Sequence, residues 1–207
     1  MPEALSLDTA TLVLFALRWL HFIFGITWIG LLYFFNFVNA PLGKVLDGPT
    51  KKIVVPQLMP RALWWFRWGA MITFLSGWSY IIGKLQLNGT GLSGLFDSTW
   101  GQWIGLGALL GSIMWFNVWF IIWPNQKKII GWVKAGQAPP EMAAGVNLAT
   151  KASRLNTYLS FPMLFCMGAA SHLPAFNPAL VLSAFVIGFT LVWHFLNKVA
   201  PKVGANF

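Results

Sequence analysis

Arg18 and His21 stand three residues apart inside an apolar stretch, Thr11 to Phe35, that otherwise offers nothing to a charge or a metal. A hydrocarbon core has no water to solvate an imidazole or a guanidinium, so each needs a partner there. Gly25 and Trp28 continue the same helical face at three-four-three spacing. The two remaining histidines, His172 and His194, also lie in or at the edge of apolar runs. Phe165, Gly168 and His172 repeat the first arrangement, with a glycine four residues from the histidine and an aromatic beyond it. An imidazole, a cation and a glycine on one helix face suit a b-type haem, which needs axial ligands, a dry slot and cations for its propionates.

His21 and His172 are the preferred axial pair, metal ligands in this reading, with Arg18 serving the propionates and Gly25 and Gly168 leaving room for the macrocycle. His21 with His194 is the alternative. Depth separates the two: His172 lies nearer the outer surface than His21, and His194 lies toward the cytoplasmic end of its span. The plainer reading of each histidine is an interfacial polar residue or a hydrogen bond to a neighbouring helix. Met163, Cys166, Met167 and His172 are soft donors that would suit copper, but their spread around the helix reads as core filling. Arg67, set among Trp64, Trp65, Phe66 and Trp68, reads as a cation held over aromatic faces. Asn117, Asn156 and Thr157 read as hydrogen-bonding glue between helices.

What positions these residues must be a helical membrane bundle. Of 207 residues 57% are hydrophobic and 9% charged, against roughly 25% charged in soluble domains. Several apolar runs exceed the ~20 residues that cross a bilayer. Five spans are expected as one domain over residues 1–207: Ala10 to Val38, Arg61 to Ile82, Trp100 to Trp123, Leu155 to His172, and Ala179 to Lys198. Pro41 should end the first and Pro124 the third. Asn125 to Gln137 should then form a separate short basic helix lying in the headgroup region. Pro162 should kink the fourth span.

The net charge of +9 does not point to nucleic acid, because the basic residues sit in the short loops where the positive-inside rule puts them. One side collects Lys44, Lys51, Lys52 and Arg61, then Lys127, Lys128, Lys134, Lys151 and Arg154, then Lys198 and Lys202. The other side holds Lys84 alone, which places the N-terminus outside and the C-terminus in the cytoplasm. Met1 to Ala10 carries Glu3 and Asp8 but no basic residue, so the first span should be retained rather than cleaved as a signal peptide. The single cysteine excludes an internal disulfide and a Cys-x-x-Cys-His attachment of c-type haem. The five acidic residues all fall outside the expected spans, which argues against a proton pump or a cation-coupled transporter.

Trp19-Leu20-His21 with Thr27-Trp28-Ile29-Gly30, and Arg61-Ala62-Leu63-Trp64-Trp65-Phe66-Arg67-Trp68-Gly69, resemble the urate oxidase N-terminal domain, the membrane domain of bacterial urate hydroxylases. The stretches Met114 to Lys128 and Ser153 to Phe165, leading to Ser171-His172, extend the likeness over most of the chain. The resemblance implies a multi-pass protein of the bacterial inner (plasma) membrane and electron transfer from urate or a related reductant. Family members with urate activity usually continue into a cytochrome c domain, which this sequence lacks. The expected electron acceptor is therefore a separate c-type cytochrome or a respiratory complex. The competing class is a non-catalytic accessory subunit packed against a larger membrane complex. A weaker likeness, confined to the first span, is to the small haem-binding membrane protoporphyrinogen oxidases.

Overall fold

The computed structural model describes residues 8–204, so the N-terminal stretch around Glu3 lies outside the described residues. Five long helices carry the chain: α1 (Thr9–Val45), α2 (Gly48–Leu87), α3 (Thr99–Lys134), α4 (Glu141–His172) and α5 (Pro178–Val203). A four-residue helix, Gly94–Asp97, sits in the connection between α2 and α3. The described residues contain helices and turns and no strand. α1, α3 and α5 are long and apolar enough to cross a membrane. α2 and α4, at 40 and 32 residues, match them in length but not in apolarity. Five of their polar positions are turned inward: Thr73 and Ser76 on α2, and Asn156, Thr157 and Ser160 on α4, are buried.

The helix starts follow local chemistry. Asp47 caps α2 by accepting from the Thr50 N–H at 2.9 Å, and Ser98 caps α3 by accepting from Gly101 N–H at 2.9 Å. Hydrogen bonds to the Thr50 side chain and backbone hold the Asp47 carboxyl below its ordinary value. Asn177 caps α5 through the Ala179 N–H at 2.8 Å.

The helix ends differ from the proline-based expectation. α1 runs through Pro41 to Val45, and α3 runs through Pro124 to Lys134, so the basic segment after Pro124 continues α3 rather than forming a separate interfacial helix. α2 begins at Gly48, with Pro56 and Pro60 inside it, not at Arg61. The reason is visible at three places. Each of Pro41, Pro124 and Pro201 directly follows a π-helical segment and the residue that closes it: Phe34–Asn39, Asn117–Ile122 and Phe195–Val199. The closing residue donates five residues back: Ala40 to Phe35 O, Trp123 to Val118 O and Ala200 to Phe195 O. The wider turn shifts the hydrogen-bond register just where proline lacks a donor, so the helix bends through instead of stopping. Glycine ends α3 instead. Gly136, at φ +68°, lets Gln137 N–H reach Trp132 O at 2.9 Å and its own N–H reach Val133 O at 3.1 Å, a Schellman closure.

α1 packs along α2, α3 along α4, and α4 against α5. The main core gathers Trp28, Leu32, Leu63, Phe66, Met114, Val118 and Met163 from the first four helices. Polar clamps cross it. Asn117 Nδ2 donates to Asn156 Oδ1 at 2.8 Å, and Asn156 Nδ2 donates to Met114 O at 2.9 Å, tying α3 to α4. Asn36 Nδ2 donates to Ser153 Oγ at 2.8 Å, and the Tyr33 hydroxyl lies 2.9 Å from Ser160 Oγ, tying α1 to α4. Thr157 bonds within its own helix, to Ser153 O at 3.0 Å.

Candidate functional site

His21 projects from α1 against the small-residue stripe Gly69-Thr73-Gly77 of α2, spaced one turn apart. The stripe lets the two backbones approach: a Cβ on Gly69 would come within 3.3 Å of the Trp28 backbone nitrogen. At Gly77 the clearance is taken by the imidazole itself, since a Cβ there would lie 2.8 Å from both Cε1 and Nδ1 of His21. His21 Nδ1 lies 2.9 Å from the Thr73 carbonyl oxygen. A carbonyl only accepts, so Nδ1 carries the proton and donates, and the Nε2 lone pair is left over. Nε2 makes no hydrogen bond among the described residues. An imidazole oriented by a backbone carbonyl, with its other nitrogen spare, is the usual arrangement of a metal-ligating histidine.

His21 lines a cleft of about 440 Å³ between α1, α2, α3 and α4. That is within the roughly 300–1,000 Å³ of small-molecule and cofactor sites. Its walls are apolar and aromatic, including Phe22, Ile29, Phe74, Ile104 and Ala108. Gly25, Gly30 and Gly111 also line it: no atom lies within 4 Å of a Cβ placed on Gly30 or Gly111, and the nearest to one on Gly25 is Thr73 Cγ2 at 3.8 Å. Arg18 stands one turn from His21 at the end of the cleft nearest the N-terminus of α1. Its guanidinium lies 5.6 Å from the centroid of the exposed Phe22 ring. Lys84 of α2 does not line the cleft, but its Nζ lies 4.1 Å over the Trp100 ring, which does.

The expected residues divide clearly. His21, Arg18 and Gly25 are brought together in the cleft. His172, Gly168 and His194 are exposed and lie outside its lining. Measured from the Tyr33–Ser160 contact, His21 and His172 each lie twelve residues toward the same end of α1 and α4; measured from the Asn36–Ser153 bond they lie fifteen and nineteen, about 6 Å apart at 1.5 Å per residue. They also differ in rotation: Ser171 lines the cleft, and the His172 ring turns back to bond Gly168 O through Nδ1 at 2.8 Å. His194 sits on the exposed side of α5.

Thr73 and Gly77 line the cleft, Lys84 lies beside it over the Trp100 ring, and none of the three was marked out by residue type. Thr73 acts through its carbonyl, which any residue possesses. Gly77 had a legible signal in the four-residue spacing from Gly69 and Thr73. Lys84 reads in sequence as a lone loop cation and comes beside the cleft only through helix packing. Arg67 stands apart from the cleft, with its guanidinium carbon 4.0 Å from the Trp123 ring centroid and 5.7 Å from that of Trp119. Cys166 is buried and does not line the cleft.

The residues fit a b-type haem in three respects: an imidazole with a spare nitrogen, open space over glycines in an apolar slot, and the Arg18 cation at one end of it. A family model described as urate oxidase N-terminal matches residues 92–204. No curated protein and no solved structure matches the chain.

Proposed function

Because the chain belongs to the urate oxidase N-terminal family, we propose that it is a membrane-embedded b-type haem protein that passes electrons to a c-type cytochrome or a respiratory complex. The observation that carries this reading is His21, fastened through Nδ1 to the Thr73 carbonyl in an apolar cleft and left with a free Nε2. Haem b would supply one-electron redox chemistry. The chain's own residues supply the rest. Thr73 O fixes the imidazole tautomer and raises the basicity of Nε2. Arg18 offsets carboxylate charge at the cleft end. The aromatic and aliphatic walls keep water from the buried part.

In this reading all five long helices cross the bacterial plasma membrane, with the N-terminus outside. Support comes from Thr73 and Ser76 of α2 and Asn156, Thr157 and Ser160 of α4, which lower the hydropathy of the middle of these helices while buried inside the bundle. The basic loops after α1 and α3 then share the cytoplasmic side, and the haem lies nearer the outer face, where electrons from urate or a related reductant would enter. The test is the absorption spectrum of the purified full chain. A reducible Soret and α-band at a fixed haem-to-protein ratio is expected, and a colourless protein overturns the proposal and leaves an accessory packing subunit.

A further inference from the structure

Arg67 sits half-buried between α2 and α3, away from the cleft, in surroundings that suit its charge but leave its donors unused. Three indole rings frame the guanidinium, whose carbon lies 4.0 Å from the Trp123 ring centroid, 5.7 Å from that of Trp119 and 6.0 Å from that of Trp68. Trp68 and Trp119 meet edge to face with centroids 5.5 Å apart, and Trp119 Nε1 donates to the Arg67 carbonyl oxygen at 3.2 Å. That bond fixes the point at which the arginine side chain leaves α2. Ring faces attract a cation, but they offer no lone pairs to a planar fork of N–H groups. The Nε–H is buried with no partner, and the Nη nitrogens, which are not sealed in, have none among the described residues either. Within a membrane such donors need an acceptor.

Depth and charge narrow what that acceptor is. The apolar part of α3 ends at Trp123, and Pro124-Asn125-Gln126-Lys127-Lys128 follows. α2 packs against this last part of α3, Trp123–Lys134. The guanidinium lies nearer Trp123 than Trp119, one turn toward the basic end. With α3 across the bilayer, as its length and apolarity allow, that is headgroup depth, where indole rings are at home. Lys127, one turn beyond Trp123, is exposed and lines a surface hollow with Lys128, Gly131 and Trp132. Asp47, twenty residues down α2 and about 30 Å away along the helix, is spent on the cap of α2.

We infer that Arg67 binds the phosphate of an anionic phospholipid in the leaflet at the basic end of α3, with Lys127 and Lys128 favouring a headgroup of net negative charge. A phosphodiester carries two unesterified oxygens, which match the paired Nη–H groups of an arginine and would be held less well by a lysine. Basic pockets beside membrane helices take such headgroups. The inference needs α3 to cross the membrane and is independent of the haem reading, so a colourless protein leaves it standing.

The experiment is native mass spectrometry of the purified full chain in detergent, titrated separately with phosphatidylglycerol, phosphatidylcholine and inorganic phosphate. Wild type is expected to keep one phosphatidylglycerol at collision energies that strip phosphatidylcholine. Arg67→Gln should lower that retention several-fold, and Arg67→Lys, which keeps a cation over the rings, should recover less than half of the loss. Replacing both Lys127 and Lys128 by Gln should narrow the preference over phosphatidylcholine. Lys202→Gln, an exposed cation at the same end, should retain lipid as wild type does. Equal retention in wild type and Arg67→Lys overturns the arginine-specific site even where Arg67→Gln fails to fold. An equal loss in Lys202→Gln overturns it in favour of diffuse surface charge, and retention of inorganic phosphate in place of lipid overturns it in favour of a bare anion site.

Discussion

Gly77 and His172 give the sharpest residue-scale tests, because one touches the His21 ring and the other lies toward the same end of the bundle but outside the cleft lining. A side chain at Gly77 must displace the imidazole, since even a Cβ would fall 2.8 Å from Nδ1. Gly77→Val is expected to break the bond to Thr73 O, to reduce haem retention below that of wild type, and to destabilise the protein by about 1–3 kcal/mol as overpacking does. Haem-to-protein ratio and thermal unfolding in the same detergent check both parts. His21→Ala should abolish haem with expression retained. His172→Ala should leave haem content and the spectrum as in wild type, because its ring is bonded to its own helix and exposed. The sequence made His21 legible through its neighbours Arg18 and Gly25, all on one face of one helix. It could not tell whether Ser171 or His172 turns toward the cleft, because a single residue step turns a helix by about 100°, and nothing in the spacing fixes which step faces inward.

At the scale of elements, the clamp between α3 and α4 and the cap of α2 make opposite kinds of prediction. Asn156 is fully buried and joins Asn117 to the Met114 carbonyl. Asn156→Leu should cost about 1–2 kcal/mol, the range of interhelical polar bonds in membranes plus the stranded Asn117 amide, read by unfolding in mixed micelles. Asp47 is solvent-exposed, and its bonds to Thr50 hold its folded pKa below the ordinary 3.8. A depressed carboxylate contributes stability that is present above the unfolded pKa and fades as pH falls through the lower, folded one. The protection factors of the Thr50 and Lys51 amides, taken against intrinsic exchange at each pH, should therefore fall below about pH 4. Asp47→Asn should remove most of that pH dependence. The helices themselves were legible as apolar runs, and their capping residues were ordinary. Their ends were not legible, because proline marks a stop only when the α-helical register holds. The π segments before Pro41, Pro124 and Pro201 change that register, and five-back bonding has no residue-type signature.

For the whole molecule the deciding issue is whether α2 and α4 cross the bilayer with α1, α3 and α5, since length and apolarity alone select three. The proposal of five crossings rests on α2 packing along α1 and α4 along α3, with Thr73, Ser76, Asn156, Thr157 and Ser160 buried. The alternatives differ in sidedness. If all five cross, the α1–α2 turn and the end of α3 share the cytoplasmic side and the α2–α3 connection is outside. If only three cross, the α2–α3 connection stays with the α1–α2 turn and the end of α3 is outside. Lys52, Leu92 and Lys134 are exposed reporters of these three places, and the native Cys166 is buried and silent. With a membrane-impermeant thiol reagent on intact spheroplasts, Leu92→Cys should label at once, and Lys52→Cys and Lys134→Cys only after lysis. Labelling of Lys134→Cys before lysis, with Leu92→Cys protected, would instead leave α2 on the cytoplasmic side and α4 outside, and would overturn the proposed five-span setting of the cleft that holds His21.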